Sequence, residues 1–211
     1  MKLASPCHAP TQPSKRERTR HALIEAAILI LADRGLEGSS IDDLVRGAGM
    51  ARGTFYNHFE SREALTCAIS HTIRERLQRA VVDYIPADHD DAQVFTCVTY
   101  GLLHYCLKHP QAGWALVRIG GSARWVTAEH FSRAHTALAA LLADRAPLLL
   151  GLVYIEGVVL MVLRRLLEDV ITFAEAETVI QLAMLGVGIP AERVSALQAT
   201  ARHFADGLTL H

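Results

Sequence analysis

Residues 36–65 read LEGSSIDDLVRGAGMARGTFYNHFESREAL, and this stretch decides the fold. Ser40 suits the N-cap of a short helix, because its side chain can accept a backbone N–H and two acidic residues follow in the first turn. Gly47-Ala48-Gly49 is too small and too permissive to continue a helix, so we expect a tight turn there. A second short helix should follow from Ala51 to about Asn57. The stretch therefore predicts a helix-turn-helix.

The second short helix has the composition of a DNA recognition helix. It combines small, basic and hydroxyl side chains, which allow close approach and can donate hydrogen bonds to phosphates or bases. Arg52 is the candidate for reading a guanine edge, since a bidentate arginine–guanine contact is the commonest specific one. Asn57 can contact a base or a phosphate. These features indicate binding in the major groove of double-stranded DNA.

A longer stretch, residues 16–70, resembles the DNA-binding domain of the TetR family of bacterial transcription regulators. The features that carry the resemblance occur in order: Ala26-Ala27, Gly35, Gly49, Gly53-Thr54-Phe55-Tyr56, His58-Phe59 and Ser61-Arg62-Glu63-Ala64-Leu65. The family often has Phe, Ser and Lys where this chain has Leu31, Ala51 and Arg62. The change at Ala51 matters most, because it removes an N-cap side chain worth roughly 1 kcal/mol from the recognition helix.

The predicted DNA contacts come from two lines of reasoning. From the residues themselves, we expect contacts from Lys15, Arg16, Ser39, Ser40, Arg52, Gly53 and Asn57. The resemblance implies phosphate contacts at Thr54, Tyr56, His58 and Arg62. Phe55 and Phe59 are expected in the core instead.

The charge of the chain is divided unevenly along its length. The formal net charge is −1, with +3 on residues 1–79 and −4 on the remainder. A mildly basic N-terminal part on an acidic remainder suits a DNA-binding domain joined to a domain that avoids DNA. Nucleophile-elbow, P-loop and zinc-protease motifs do not occur in the sequence, so we predict no enzyme, no cofactor and no metal site.

The helical pattern continues to the C-terminus without persistent strand-like alternation, which predicts an all-α protein. We expect a disordered arm at residues 1–15, a three-helix helix-turn-helix domain at 16–60, and a helical ligand-binding and dimerisation domain at 61–211. A long helix from Ser61 to about Tyr84, ended by Pro86, should link the two domains. Further helices are predicted at about 91–108, 111–120, 126–144, 148–169, 173–187 and 191–206.

The C-terminal domain has the composition of a ligand-binding domain. Aromatic side chains with a few polar groups suit an apolar cavity with a few fixing contacts, and the family resemblance also implies an inducer pocket here. The candidates are Tyr100, His104, Trp114, Arg118, Trp125, Phe131, Tyr154 and Glu156. Core packing is the alternative for each aromatic residue and for His104, and helix capping is the alternative for Arg118.

Two predicted helices, 148–169 and 173–187, are apolar over more than one stripe. A second copy of the chain can cover the extra stripe in a four-helix bundle across a two-fold axis, and the resemblance points to the same helices. The expected interface residues are Leu152, Val153, Leu160, Leu163, Ile180, Ala183 and Met184. The alternative is that one subunit covers both helices completely.

The apolar run at 146–163 just reaches the length of a membrane span, but Glu156 lies near its middle. Because an acidic group at the bilayer centre costs roughly 2.5–3.5 kcal/mol or more, we predict no membrane partner and a cytoplasmic protein. The four cysteines lack zinc-site spacing and are expected as free thiols, with redox sensing by Cys97 or Cys106 as the alternative.

Together these features predict a homodimeric repressor that binds a palindromic operator and is released by a small apolar or aromatic effector. Two other hypotheses remain open. One is a ligand-independent DNA-organising or partner-binding protein on the same scaffold. The other is a small-molecule sequestering protein with a vestigial DNA-binding domain.

Overall fold

The computed structural model describes residues 14–35, 38–120, 132–143 and 145–208, and within these ranges it is helical without strands. The N-terminal domain holds three helices, α1 (Lys15–Arg34), α2 (Ile41–Gly47) and α3 (Arg52–Tyr56). The next helix, α4 (Arg62–Ala80), links it to the C-terminal domain, which contains α5 (Asp91–Lys108), α6 (Pro110–Gly120), α7 (Ser132–Leu142), α8 (Leu148–Leu167), α9 (Phe173–Gly186) and α10 (Ala191–Gly207). The predicted all-α fold is confirmed.

Side-chain caps define where many of these helices begin. Five N-cap side chains accept a hydrogen bond from the backbone N–H three residues further on, namely Ser14, Ser40, Ser61, Asp90 and Thr172. At α3, Ala51 has the extended backbone of an N-cap, with φ −84° and ψ 153°, but supplies no capping side chain in the described structure. The recognition helix therefore starts without the stabilisation that these five helices have.

Two details differ from the sequence-based expectations. Lys15, expected in the arm, is the first residue of α1. The helix expected to reach Tyr84 ends at Ala80, because Val81 leaves helical geometry at φ −127° and ψ −63° and a short 3-10 helix, Val82–Tyr84, follows. The arm at 1–13 and the expected start of α7 near residue 126 lie outside the described residues.

The helix-turn-helix geometry follows the predicted turn. Gly49 has φ +64°, a conformation that favours glycine, and it lies between the end of α2 and the start of α3. Phe55 on α3 and Phe59 just after it are buried against the core of the N-terminal domain. The turn and this anchor together fix the direction of α3.

The two domains contact each other through α6, which packs against α1 and α4. The Arg118 side chain on α6 donates a hydrogen bond of 2.9 Å to the backbone carbonyl of Leu31 near the end of α1. Within the C-terminal domain, α7 and α8 approach closely at Gly151, where an added Cβ would lie 1.9 Å from a Leu142 methyl carbon. Helices α5, α6, α7 and α8 surround a cavity.

Among the helices in the described ranges, none is both long enough and apolar enough to cross a bilayer.

Candidate DNA-binding surface and ligand cavity

The outward face of α3 carries most of the side chains predicted to contact DNA. Arg52, Gly53, Tyr56 and Asn57 are exposed, and half of the Tyr56 surface is open to solvent. Phe55 points the other way and is fully buried. The short helix therefore presents a polar, hydrogen-bonding face that an apolar anchor holds against the domain.

Arg52 is held by an ion pair in the DNA-free protein. One of its terminal nitrogens lies 3.2 Å from a carboxylate oxygen of Asp42 on α2. Both side chains are largely exposed, and exposed pairs of this kind typically contribute 0–1 kcal/mol. A phosphate or a guanine edge can therefore compete for Arg52 at small cost.

Ser39 corrects one expectation about DNA contacts. Its side chain is only 3% exposed, and its hydroxyl donates a hydrogen bond of 3.0 Å to the carbonyl of Gly35. Arg62 also approaches this hydroxyl, at 3.5 Å. Ser39 thus supports the end of α1 and offers no hydroxyl to phosphate.

The remaining predicted DNA residues differ in accessibility. Lys15 and Arg16 are exposed at the start of α1, and Thr54 is half-buried. Ser40 is exposed, but its hydroxyl bonds to Asp43 as part of the α2 cap. The Nδ1 atom of His58 and the Nε atom of Arg62 are buried without a hydrogen-bond partner among the described residues.

A cavity of about 120 Å³ lies among α5, α6, α7 and α8, and we call it the α5–α8 cavity. Ten of its lining residues are apolar: Phe95, Val98, Leu102, Leu116, Ala134, Leu138, Leu152, Ile155, Val159 and Leu160. The polar ones are Thr99, His135 and Glu156. The Thr99 hydroxyl donates to the Phe95 carbonyl at 2.9 Å, so its donor is satisfied within α5. Glu156 is the single carboxylate in the described lining.

The electrostatic state of Glu156 reflects its apolar surroundings. Burial raises the pKa of its carboxyl to about 7, and the positive charge of Arg74 on α4 opposes this rise. Arg74 is itself 8% exposed, and its Nε donates to the Ser70 carbonyl at 3.3 Å. An electrostatic interaction therefore joins the cavity to the helix that leads to the N-terminal domain.

Of the eight residues predicted to bind a ligand, Glu156 lines the cavity, and the other described ones face elsewhere. Tyr100 is fully buried, donates to Glu177 at 3.2 Å and packs edge-on against Phe173, and burial raises its pKa to about 12. Arg118 reaches α1, and its guanidinium lies 5.4 Å from the ring centre of Trp114.

Four further ligand candidates lie apart from the lining or outside the described residues. His104 is half-buried and lies away from the cavity lining. Tyr154 lies on an exposed face of α8, where it packs close to Gly186 of α9. Trp125 and Phe131 lie outside the described residues. Apart from Glu156, the described ligand candidates therefore do not coincide with the lining of this cavity.

A helical-phase signal could have located the lining. On α5, Phe95, Val98, Thr99 and Leu102 follow the i, i+3, i+4, i+7 spacing of one helix face. On α8, Leu152, Val159 and Leu160 lie three or four residues from Glu156 and also line the cavity. The cavity could therefore be predicted by taking Glu156 and following its face of the helix. A selection of aromatic residues does not lead to it.

The predicted dimer contacts need the larger correction. Leu163, Ile180, Ala183 and Met184 are buried within the single subunit, each at most 4% exposed, so they have no surface to offer a partner. Two others, Leu152 and Leu160, face the α5–α8 cavity. Val153 is the described member of the predicted set that is exposed, at 57%.

A different set of residues forms an exposed apolar surface on α8 and α9. We call it the α8–α9 apolar surface, and it comprises Leu149, Leu150, Val153, Tyr154, Met161, Val179, Leu182 and Leu185. Large apolar patches on soluble proteins mark interaction sites. The helices selected from the sequence therefore do carry an uncovered face, which shares Val153 with the predicted set and otherwise consists of other residues.

Cys97 and Cys106, the two candidate redox sensors, do not have the properties of reactive thiols. Cys97 and Cys106 are buried, and burial raises the pKa of the first thiol to about 11 and of the second to about 12. Because the thiolate is the reactive form, both are poor nucleophiles near neutral pH. Metal-binding clusters of three or more His, Cys, Asp or Glu side chains do not occur in the described part of the chain.

Comparison with known proteins identifies the N-terminal domain. Residues 23–69 match the model of bacterial regulatory proteins of the tetR family. The chain is 32% identical over 78 residues to the uncharacterised HTH-type transcriptional regulator YvdT of Bacillus subtilis. The aligned stretch covers 37% of this chain and 40% of YvdT. It is 35% identical over 66 residues to the HTH-type transcriptional repressor DhaR of Mycobacterium sp. strain GP1, covering 31% of this chain and 33% of DhaR. The chain thus spans two fifths or less of these curated relatives.

The similarity of fold extends over nearly the whole chain. The crystal structure of RolR in complex with resorcinol matches with a TM-score of 0.58 at 24% identity, covering 88% of this chain and 95% of RolR. At this level of identity the match shows the fold. The resemblance noted from the sequence is confirmed, and the relatives are transcription regulators rather than enzymes, as predicted.

Proposed function

Because residues 23–69 match the model of the tetR family of bacterial regulatory proteins, we propose that this protein is a DNA-binding transcription regulator whose DNA binding responds to a small molecule. The observation that carries the proposal is the exposed polar face of α3, centred on Arg52, in a domain that matches this family. Arg52 and Asn57 read base edges, and Lys15, Arg16, Thr54 and Tyr56 contact phosphates. A cytoplasmic location follows from this role, since that is where bacterial DNA lies.

The protein acts as a homodimer through the α8–α9 apolar surface. Its exposed side chains lie on α8 and α9, with Val179, Leu182 and Leu185 spaced three residues apart on α9, and a second copy can bury them in a four-helix bundle. Two-fold symmetry then places two α3 helices in successive major grooves of a palindromic operator, about 34 Å or a multiple apart.

The effector binds in the α5–α8 cavity and weakens operator binding, which makes the protein a repressor released by its ligand. Two contacts support a connection between the cavity and DNA. The Glu156–Arg74 interaction reaches α4, and the Arg118 hydrogen bond ties α6, which contributes Leu116 to the lining, to α1. A ligand that prefers one arrangement of α4 and α6 shifts the spacing of the two α3 helices. The free energy that couples ligand binding to DNA binding is then ~1–3 kcal/mol.

The cavity favours this function over a ligand-independent DNA-organising protein, because such a protein needs no apolar cavity beside the linking helix. A sequestering protein is distinguished by experiment. On that hypothesis, changing the α3 surface leaves every activity of the protein unaltered.

A footprint on the DNA flanking the gene tests the proposal, with Arg52→Ala compared with Arg79→Ala. Arg79 is an exposed arginine in an ion pair at the far end of α4, so its change removes the same charge. We expect a protected palindrome, an affinity about 10- to 100-fold lower for Arg52→Ala, and near-normal binding for Arg79→Ala. Equal losses in both variants, or binding that higher salt abolishes without a protected site, would contradict specific recognition by α3.

A further inference from the structure

We propose that the effector of the α5–α8 cavity is a small apolar molecule with one positively charged nitrogen, and that Glu156 binds this charge. The inference rests on the proposed ligand-responsive function and specifies the chemical class of its ligand.

The lining combines a large apolar surface with a single carboxylate. Ten lining residues are apolar, and the Thr99 hydroxyl donates to its own helix. A ligand for this cavity therefore gains most of its affinity from apolar contact. Of the remaining polar lining residues, His135 and Glu156, Glu156 is the one that can carry a negative charge.

The size of the cavity limits the ligand to about one ring. Its volume is about 120 Å³. An engineered apolar cavity of about 150 Å³ binds benzene. A single aromatic or aliphatic ring with a short amine substituent matches both the volume and the position of the carboxylate among apolar walls.

The groups around Glu156 leave its negative charge incompletely balanced. Arg74 acts on it from α4, and His135 lines the cavity from α7. Burial lowers the pKa of Arg74, and the interaction with Cys67 on the same helix opposes this shift. Even with Arg74 present, burial keeps the pKa of Glu156 at about 7. A cation inside the cavity would stabilise the carboxylate that its surroundings disfavour.

This arrangement predicts how binding depends on pH. Below pH 7 the carboxyl is increasingly protonated and presents no charge to a cation. Preference for a cation over a neutral molecule of the same shape should therefore rise between about pH 6 and pH 8, and binding below pH 7 should release a proton.

The test measures calorimetric binding of three isosteric probes to the full-length protein at about pH 8: benzylammonium, benzyl alcohol and benzoate. The variants are Glu156→Gln and the control Glu192→Gln, which removes the same charge from an exposed position on α10. We expect benzylammonium to bind wild type and Glu192→Gln at least about tenfold more tightly than benzyl alcohol. In Glu156→Gln that preference should disappear while benzyl alcohol affinity is kept.

Several outcomes would overturn the inference. They are equal or tighter binding of benzyl alcohol or benzoate by wild type, a cation preference that survives in Glu156→Gln, and failure of all three probes to bind. Should the variant fold poorly, the pH profile of the wild type decides, since a cation preference unchanged between about pH 6 and pH 8 excludes Glu156 as the anchor. The operator footprint needs no probe, so it can succeed when this inference fails.

Discussion

The substitution Glu156→Gln should make the stability of the protein less dependent on pH. The folded state holds the carboxyl proton more tightly than the unfolded chain, with a pKa of about 7 against an ordinary value of 4.5. The wild type therefore loses stability as pH rises from about 4.5 through 7, and it carries the full cost above that range. Glutamine has no proton to lose, so the variant lacks this loss.

The size of the effect follows from the two pKa values. Their separation corresponds to about 3 kcal/mol at 1.36 kcal/mol per pKa unit. Water that reaches the half-buried carboxylate screens part of this cost, so we expect a change of about 1–2 kcal/mol. The charge interaction with Arg74 exists only while the carboxyl is ionised, so its loss in the variant is already part of this pKa difference.

Urea denaturation followed by circular dichroism measures the effect at about pH 5 and about pH 8.5, at one fixed protein concentration. The quantity of interest is the stability of Glu156→Gln minus that of the wild type, which should rise between the two pH values. Other titrating groups cancel in this difference. A rise smaller than about 0.5 kcal/mol, or a fall, would refute the argument that burial controls this carboxyl.

Three further changes test other parts of the molecule. Ala51→Ser supplies the missing cap of α3, so it should stabilise that helix by about 1 kcal/mol and slow its amide hydrogen exchange about fivefold. Unchanged exchange would count against the capping argument. Leu182→Glu puts a charge into the α8–α9 apolar surface and should give monomers in sedimentation, whereas Leu29→Glu, on an equally exposed leucine of α1, should leave a dimer. Arg118→Ala removes the hydrogen bond to the Leu31 carbonyl and should lower the free energy of unfolding by about 1–2 kcal/mol in urea denaturation; a wild-type value would mean that this contact adds no stability.

Local signals predicted the secondary structure because their causes are local. A hydroxyl at Ser40, Ser61 or Thr172 satisfies a backbone N–H three residues away, and the glycine at Gly49 permits its own positive φ. Neither effect needs information about distant parts of the chain. Helix starts and the helix-turn-helix were therefore accessible from the sequence.

The cavity and the exposed face of α8 and α9 were harder to predict because they depend on how helices are rotated against each other. Leu152 and Val153 are neighbours in sequence with similar apolar character, but one lines the cavity and the other is exposed. A helix that is apolar on several faces gives no sequence signal for which face meets which neighbour. Glu156 was identifiable because an acidic residue in an apolar run is unusual whichever way the helix is rotated.

The contact between Arg118 and α1 has a consequence for how the sequence of α1 can vary. The acceptor is a main-chain carbonyl, that of Leu31, which also receives the N–H of Gly35. Every helix exposes such carbonyls near its end, whatever its side chains. This hydrogen bond therefore requires no particular side chain at its acceptor in α1, so it can persist when the sequence at that position changes.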